Sequence, residues 1–96
     1  MYDIEFDDRA LPEWRALERP VREQLRRKLE KLILAPHRPK NALHGDLAGC
    51  YKIKLLKAGV RLVYQVEDDR LVILIVAVGR RSDNEAYKTA ARRLCK

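Results

Sequence analysis

Between positions 50 and 81 the chain reads C-Y-K-I-K-L-L-K-A-G-V-R-L-V-Y-Q-V-E-D-D-R-L-V-I-L-I-V-A-V-G-R-R. Tyr51-Lys52-Ile53-Lys54-Leu55 alternates apolar and basic residues with period two, the pattern of a half-buried strand. Ala58-Gly59 predicts a two-residue turn and residues 60–66 a returning strand. Asp68-Asp69 predicts a second turn, and residues 71–78 an apolar third strand. Together these make a three-stranded antiparallel meander. With Ala58-Gly59 as the whole loop, Leu56 faces Arg61, Leu55 faces Leu62 and Ile53 faces Tyr64. Directly opposed residues share a side of the sheet, as do residues two apart along a strand. One face then holds Tyr51, Ile53, Leu55, Leu62, Tyr64 and Val66, which is a core. The other holds Lys52, Lys54 and Arg61. Three like charges are costly to bury against protein. This face is therefore predicted to look into solvent, either as an ordinary wet sheet face or as a surface for something polyanionic.

The flanking segments supply the rest of a small fold. Tyr2-Asp3-Ile4-Glu5-Phe6 alternates and predicts a short strand with Tyr2, Ile4 and Phe6 inward. Asp7 or Asp8 can cap a helix that tolerates Pro12 in its first turn. Ala10, Leu11, Trp14 and Leu17 form its apolar stripe, with Trp14 as a core anchor. Pro20 suits the opening of a second helix, which is predicted to run to about Leu34 and to stop before Pro36. Val21, Leu25, Leu29, Leu32 and Ile33 follow helical spacing. Arg26-Arg27-Lys28 on the opposite side either touch phosphates or form the wet face, with Glu23 placed to pair with Arg27. Residues 36–49 are a loop, pinned to the core by Leu43 and Leu47. His37 and His44 lie in it without the spacing of a metal site. Ser82-Asp83-Asn84-Glu85 has the S-x-x-E form of a capping box. It predicts a last helix with Tyr87, Ala90, Ala91 and Leu94 inward. Alanines bury little area, so that helix is expected to dock weakly.

Length and composition narrow the class. A chain of 96 residues with 47% hydrophobic residues bounds a single domain, residues 1–96, with one modest core. No run is long enough for a transmembrane helix, and the acidic start does not resemble a secretory signal. Cys50 and Cys95 belong to no C-x-x-C pattern and read as free thiols of a reducing cytoplasm. Net charge is +7, and it is unevenly placed: residues 1–50 carry 10 Lys+Arg against 9 Asp+Glu, and residues 51–96 carry 11 against 5. A field concentrated in the second half points to nucleic acid or an acidic protein as partner.

The motifs have a joint spacing that resembles the RelE toxins of bacterial toxin–antitoxin pairs. They are L-x-G at Leu43-His44-Gly45, G-C-Y-K-I-K-L from Gly49, G-V-R-L-V-Y-Q-V from Gly59, V-G-R-R and Tyr87. The stretches F-D-D-R-A-L-P-E-W-R and V-R-E-Q-L are similar as well, so the likeness spans nearly the whole chain. The resemblance implies an α+β fold akin to the small microbial ribonucleases. That is an antiparallel sheet with two N-terminal helices on one face and a short C-terminal helix. It implies cleavage of messenger RNA in the ribosomal A site without a metal or other cofactor. It also implies a cytoplasmic location and a RelB-type antitoxin as partner, with any contact to operator DNA running through that antitoxin. Family active-site positions fall on Lys52, Lys54, Arg61, Arg81 and Tyr87, and Arg80 beside Arg81 is a further candidate for phosphate. Two other classes compete: a ParE-like inhibitor of DNA gyrase, and a basic module that binds nucleic acid without cleaving it.

The residue types suit attack by a ribose 2′-OH on its own phosphate. A base must take the 2′ proton, cations must stabilise charge gathering on phosphorus, and the leaving 5′ oxygen needs assistance. Arg61 matches phosphate oxygens with its guanidinium fork. Arg81, by resemblance, stands near the leaving oxygen, where a group so hard to deprotonate acts as a charge stabiliser. Tyr87 would stack on a base or donate its hydroxyl, or else be a core residue of its helix. Lys54 is the expected base and Lys52 a phosphate clamp. Lysine ordinarily titrates near pH 10.4, so base work asks for a fall of roughly two to three units. Two cations about 7 Å apart supply ~2.4 kcal/mol of repulsion at an effective dielectric of about 20. That suffices only if the site is partly shielded from water.

Overall fold

In the computed structural model, which describes residues 1–80 and 85–94, the chain forms β1 (Asp3–Phe6), α1 (Ala10–Arg15), α2 (Arg19–Leu32), β2 (Cys50–Leu55), β3 (Val60–Glu67), β4 (Val72–Arg80) and α3 (Glu85–Leu94). Two short 3-10 turns, Pro39–Asn41 and Gly45–Leu47, interrupt the loop before β2. The strands make one sheet in the order β1-β4-β3-β2. The meander is antiparallel as expected, while β1 joins β4 in parallel, so the sheet is mixed. α2 ends at Leu32, two residues earlier than its apolar spacing suggests. Leu71 is not in the last strand; it occupies the preceding turn with a left-handed φ of 53°. Arg81, Cys95 and the segment opening the predicted S-x-x-E cap lie outside the described residues.

The hairpin register differs from the two-residue-turn expectation. Leu55 pairs with Val60, Lys54 with Arg61, Ile53 with Leu62 and Tyr51 with Tyr64. The loop therefore has four residues, 56–59, closed by a bond from the Gly59 N–H to the Leu55 carbonyl (2.9 Å) with Gly59 at φ 66°. The pairing slides by two residues, one full pleat, so every side chain keeps its face. The sliding brings Lys54 directly opposite Arg61.

One face is the main core, as predicted. Ile53, Leu55, Leu62, Tyr64, Ile73 and Ile75 lie under Leu25, Leu29 and Leu32 of α2 and Ala10 of α1. Trp14 tilts against Phe6 with ring centroids 5.3 Å apart. The expected cap by Asp7 or Asp8 is not formed: Arg9 holds the N-cap position of α1 without a side-chain cap bond, and the Asp7 carboxylate accepts the Arg9 N–H at 2.8 Å ahead of the helix. A polar clasp closes the far end. The Tyr2 hydroxyl donates to Asp68 (2.6 Å), and His37 lies between Asp68 (2.8 Å) and the Tyr51 hydroxyl (2.7 Å). The Tyr2 and His37 contacts hold the Asp68 carboxyl below the usual carboxylate range. Tyr64 stacks on Tyr51, and its hydroxyl donates to the Pro36 carbonyl at 2.9 Å. Burial pushes its ionisation up to about 12.

The second face is not simply open, contrary to its reading as a cationic surface alone. Cys50 and Val63 alternate with Lys52, Lys54 and Arg61 on this side, and they need cover. They form a smaller core with Leu47, Val76, Ala77, Ala86 and Ala90, beneath α3 and the loop carrying Leu43. A register break between Val63 and Tyr64 turns both Val76 and Ala77 toward it. Burial pushes the Cys50 thiol up to about 11, so it behaves as a small apolar side chain.

α3 also has an anchor that its alanine stripe does not reveal. β1 pairs with β4 only as far as Ile75, which leaves the edge beyond it without a strand neighbour among the described residues. There the Glu13 carboxylate accepts the Val78 N–H (3.2 Å), and Arg93 donates to the Val76 carbonyl (2.8 Å) and to Glu13 (2.8 Å). The Arg93 side chain is only 12% exposed and that of Glu13 32%. Arg93→Met keeps the stem and removes these bonds. A loss of about 1–3 kcal/mol in urea unfolding is expected, with faster amide exchange in α3. Unchanged stability and exchange would show that the clamp contributes nothing.

Candidate active site

The β2–β3 hairpin positions three of the candidate side chains by pleat alone. Lys52 and Lys54 are two apart on β2, and Arg61 stands opposite Lys54 on β3. Cβ atoms of directly opposed residues lie about 4.5–5.5 Å apart, so the Lys54–Arg61 pair is tighter than the Lys52–Lys54 pair. Lys54 is exposed, whereas Lys52 and Arg61 are partly buried beside the smaller core. On this face β4 presents Gly79 opposite Arg61. A Cβ there would only touch Ala86 at 3.6–3.7 Å, which is ordinary contact.

α3 contributes Tyr87. Its ring lies against the Arg61 guanidinium, with Cζ 4.8 Å from the ring centroid. This cation–π contact helps to fix the arginine. The Tyr87 hydroxyl is buried and has no hydrogen-bond partner among the described residues. Tyr87 is thus both a core residue of the smaller cluster and a neighbour of the cations. Lys52, Lys54, Arg61 and Tyr87 form one positively charged patch, with its guanidinium against the tyrosine ring and Lys54 exposed. Such a patch can grip a phosphodiester and stabilise charge building on it. The shielding that lysine base chemistry asks for is not provided at Lys54 by the protein itself, so bound RNA would have to supply it.

The remaining candidates fall elsewhere. Arg80 pairs with Val60 and shares its side of the sheet, in a groove with Glu13, Glu18 and Val78. Strand alternation therefore sets it on the face opposite Arg61. Arg26 is held by Glu23 (2.9 Å) and Glu30 (3.6 Å), so Glu23 pairs with Arg26 and not with the expected Arg27. Arg26 and Arg27 are both exposed on α2, away from the hairpin patch. Arg81 lies outside the described residues. Glu13 and Arg93, which tie α3 in place, were not singled out by pattern. They are distant in sequence; Glu13 lies within the F-D-D-R-A-L-P-E-W-R stretch with nothing local to mark its role, and Arg93 belongs to no motif.

Comparison with known proteins places the chain in a family. A model described as "ParE toxin of type II toxin-antitoxin system, parDE" matches residues 4–85. The mRNA interferase toxin RelE of Escherichia coli K12 is 46% identical over 93 residues, covering 97% of both chains. The free structure of an E. coli RelE double mutant superposes with a TM-score of 0.87 at 46% identity, covering 96% of each chain. RelE in the intact E. coli RelBE toxin–antitoxin complex gives 0.80 at 48% identity, covering 83% of this chain and 96% of that one. With the hairpin cations and the fold in agreement, the chain belongs to the RelE toxins of type II toxin–antitoxin systems, within the wider RelE/ParE superfamily.

Proposed function

We propose that this protein is a toxin that cleaves messenger RNA in the ribosomal A site and so stops translation. The observation that carries the reading is the opposed Lys54–Arg61 pair, with Lys52 one pleat away and the Tyr87 ring holding the guanidinium. RNA brings its own nucleophile. The 2′ oxygen bonds to the adjacent phosphorus, the bond from phosphorus to the 5′ oxygen breaks, and the products are a 2′,3′-cyclic phosphate and a 5′-OH. Lys54 takes the 2′ proton once bound RNA excludes water around it. Arg61 holds the phosphate oxygens, and Lys52 clamps the same group or its neighbour. Arg81 stabilises the charge on the departing 5′ oxygen, which takes up a proton from water as it leaves. A bound phosphate also relieves the repulsion among the cations, so binding and site assembly support each other.

The chain lacks a row of exposed aromatics to stack single-stranded RNA, so the ribosome is assigned the task of presenting the strand. Cleavage in the A site places the working protein in the cytoplasm. A RelB-type antitoxin, an acidic or amphipathic segment, neutralises it by covering the patch or displacing α3, and any contact with operator DNA runs through that antitoxin. No helix among the described residues is long and apolar enough to cross a membrane. The ParE description of the matching family model supports one second reading, inhibition of DNA gyrase. The hairpin cations favour RNA cleavage over it.

Cleaved message from translating ribosomes is expected to carry cyclic phosphate at its 3′ ends, with naked RNA cut far more slowly. Linear phosphate ends, equal rates on naked RNA, or loss of gyrase supercoiling without RNA cleavage would refute the proposal. Lys54→Arg keeps charge and removes basicity, and single-turnover cleavage should fall by about 10²–10⁴. Near-wild-type cleavage by that variant would exclude Lys54 as the base. Tyr87→Phe, which keeps the ring on Arg61, should cleave within about ten-fold of wild type, while Tyr87→Ala should lose about 10²–10³. Equal losses in the two would assign the work to the hydroxyl.

A further inference from the structure

Beyond the cation face, a cleft of about 310 Å³ opens between α2, the loop after it and the outer strand β2. Its rim carries Lys28 and Lys31 from α2, Arg38 from the loop and Lys54 from β2, and its floor is Leu32, Ile53 and Tyr64. Lys28, Lys31 and Leu32 share one side of α2 through their three- and four-residue spacing. Arg38 is set in place by its Nε–H donating to the Ala35 carbonyl at 3.0 Å.

The charge arrangement here differs from the neighbouring stripe of the same helix. Arg26 is taken up by Glu23 and Glu30, but neither Lys28 nor Lys31 joins an ion pair among the described residues. No carboxylate lines the cleft among the described residues. Cations from three elements around one concavity repel one another, and an anion seated between them removes that cost. The apolar floor beneath them is nearly closed, with Leu32 and Ile53 7% exposed and Tyr64 fully buried, so the cleft presents chiefly charge. Lys54 belongs to both places: it opposes Arg61 on the cation face and also stands on the rim of the cleft.

We propose that this cleft is a second RNA subsite, which holds a backbone phosphate near the scissile one so that the strand bends around the β2 edge at Lys54. The inference rests on the nuclease reading and extends it. Lys28, Lys31 and Arg38 bind and orient the strand, and they take no part in bond breaking. An acidic protein segment could use the same charges. The shared Lys54 favours RNA, because one continuous polyanion then satisfies both the patch and the cleft.

The test is equilibrium binding of a short, fluorescent 2′-O-methyl oligoribonucleotide, which cannot be cleaved, measured across a salt series. Lys28→Gln/Lys31→Gln should weaken binding about ten-fold at low salt. The slope of log affinity against log salt should shrink by about 0.7, for the one phosphate the cleft holds. Arg15→Gln/Arg19→Gln removes the same charge from exposed positions elsewhere and should change affinity less than three-fold. If the two pairs lose affinity equally, the effect is the general field and the subsite is refuted. It is equally refuted if Lys28→Gln/Lys31→Gln keeps RNA affinity but loses a RelB-type antitoxin, which would assign the cleft to protein. Because the probe has no free 2′-OH, either failure is separable from the cyclic-phosphate result that tests the nuclease reading.

Discussion

The site depends on the two-residue period of one hairpin. A β-strand must send alternate side chains to opposite faces. By placing Ile53, Leu55, Leu62 and Tyr64 in the main core, the chain is obliged to set Lys52, Lys54 and Arg61 on the other face. The hydrophobic burial that stabilises the fold is therefore what forces the cations together. Their mutual repulsion is held in check by the strand pairing, since they cannot separate without breaking the ladder on both sides.

The same logic explains what could be read from the residues and what could not. The face assignment survived an incorrect turn, because the true four-residue loop slides the strands by two positions and parity is preserved. A slide of one would have exchanged core for cations. The turn itself was not legible: Ala58-Gly59 resembles a two-residue hairpin loop, and only the bond from the Gly59 N–H to the Leu55 carbonyl selects the wider one. Arg80 shows the opposite case. The side that Arg80 takes is set by its pairing with Val60, information that lies across the sheet. The parallel partnership of β1 with β4 and the Glu13–Arg93 clamp are likewise long-range, joined by tertiary packing and not by local spacing.

α3 links the stability of the fold to the state of the site. Its Tyr87 ring steadies Arg61, its Ala86 and Ala90 cover the smaller core, and its Arg93 closes the unpaired edge of β4 through Glu13. Movement of this one helix would uncover Cys50 and Val63, release the guanidinium and free a strand edge. Its small apolar side chains bury little area, so much of its attachment is polar and specific. The main core is packed from the other side of the sheet and takes no side chain from α3.

The most direct test of a single shared phosphodiester is a double-mutant cycle between Lys54 and Arg61, read as single-turnover cleavage on programmed ribosomes. Groups acting on one phosphate are strongly non-additive, so Lys54→Ala/Arg61→Ala should lose little more than the worse single variant. Two losses that simply multiply would mean that the opposed side chains serve separate sites, and would contradict the view that the hairpin acts as one catalytic unit.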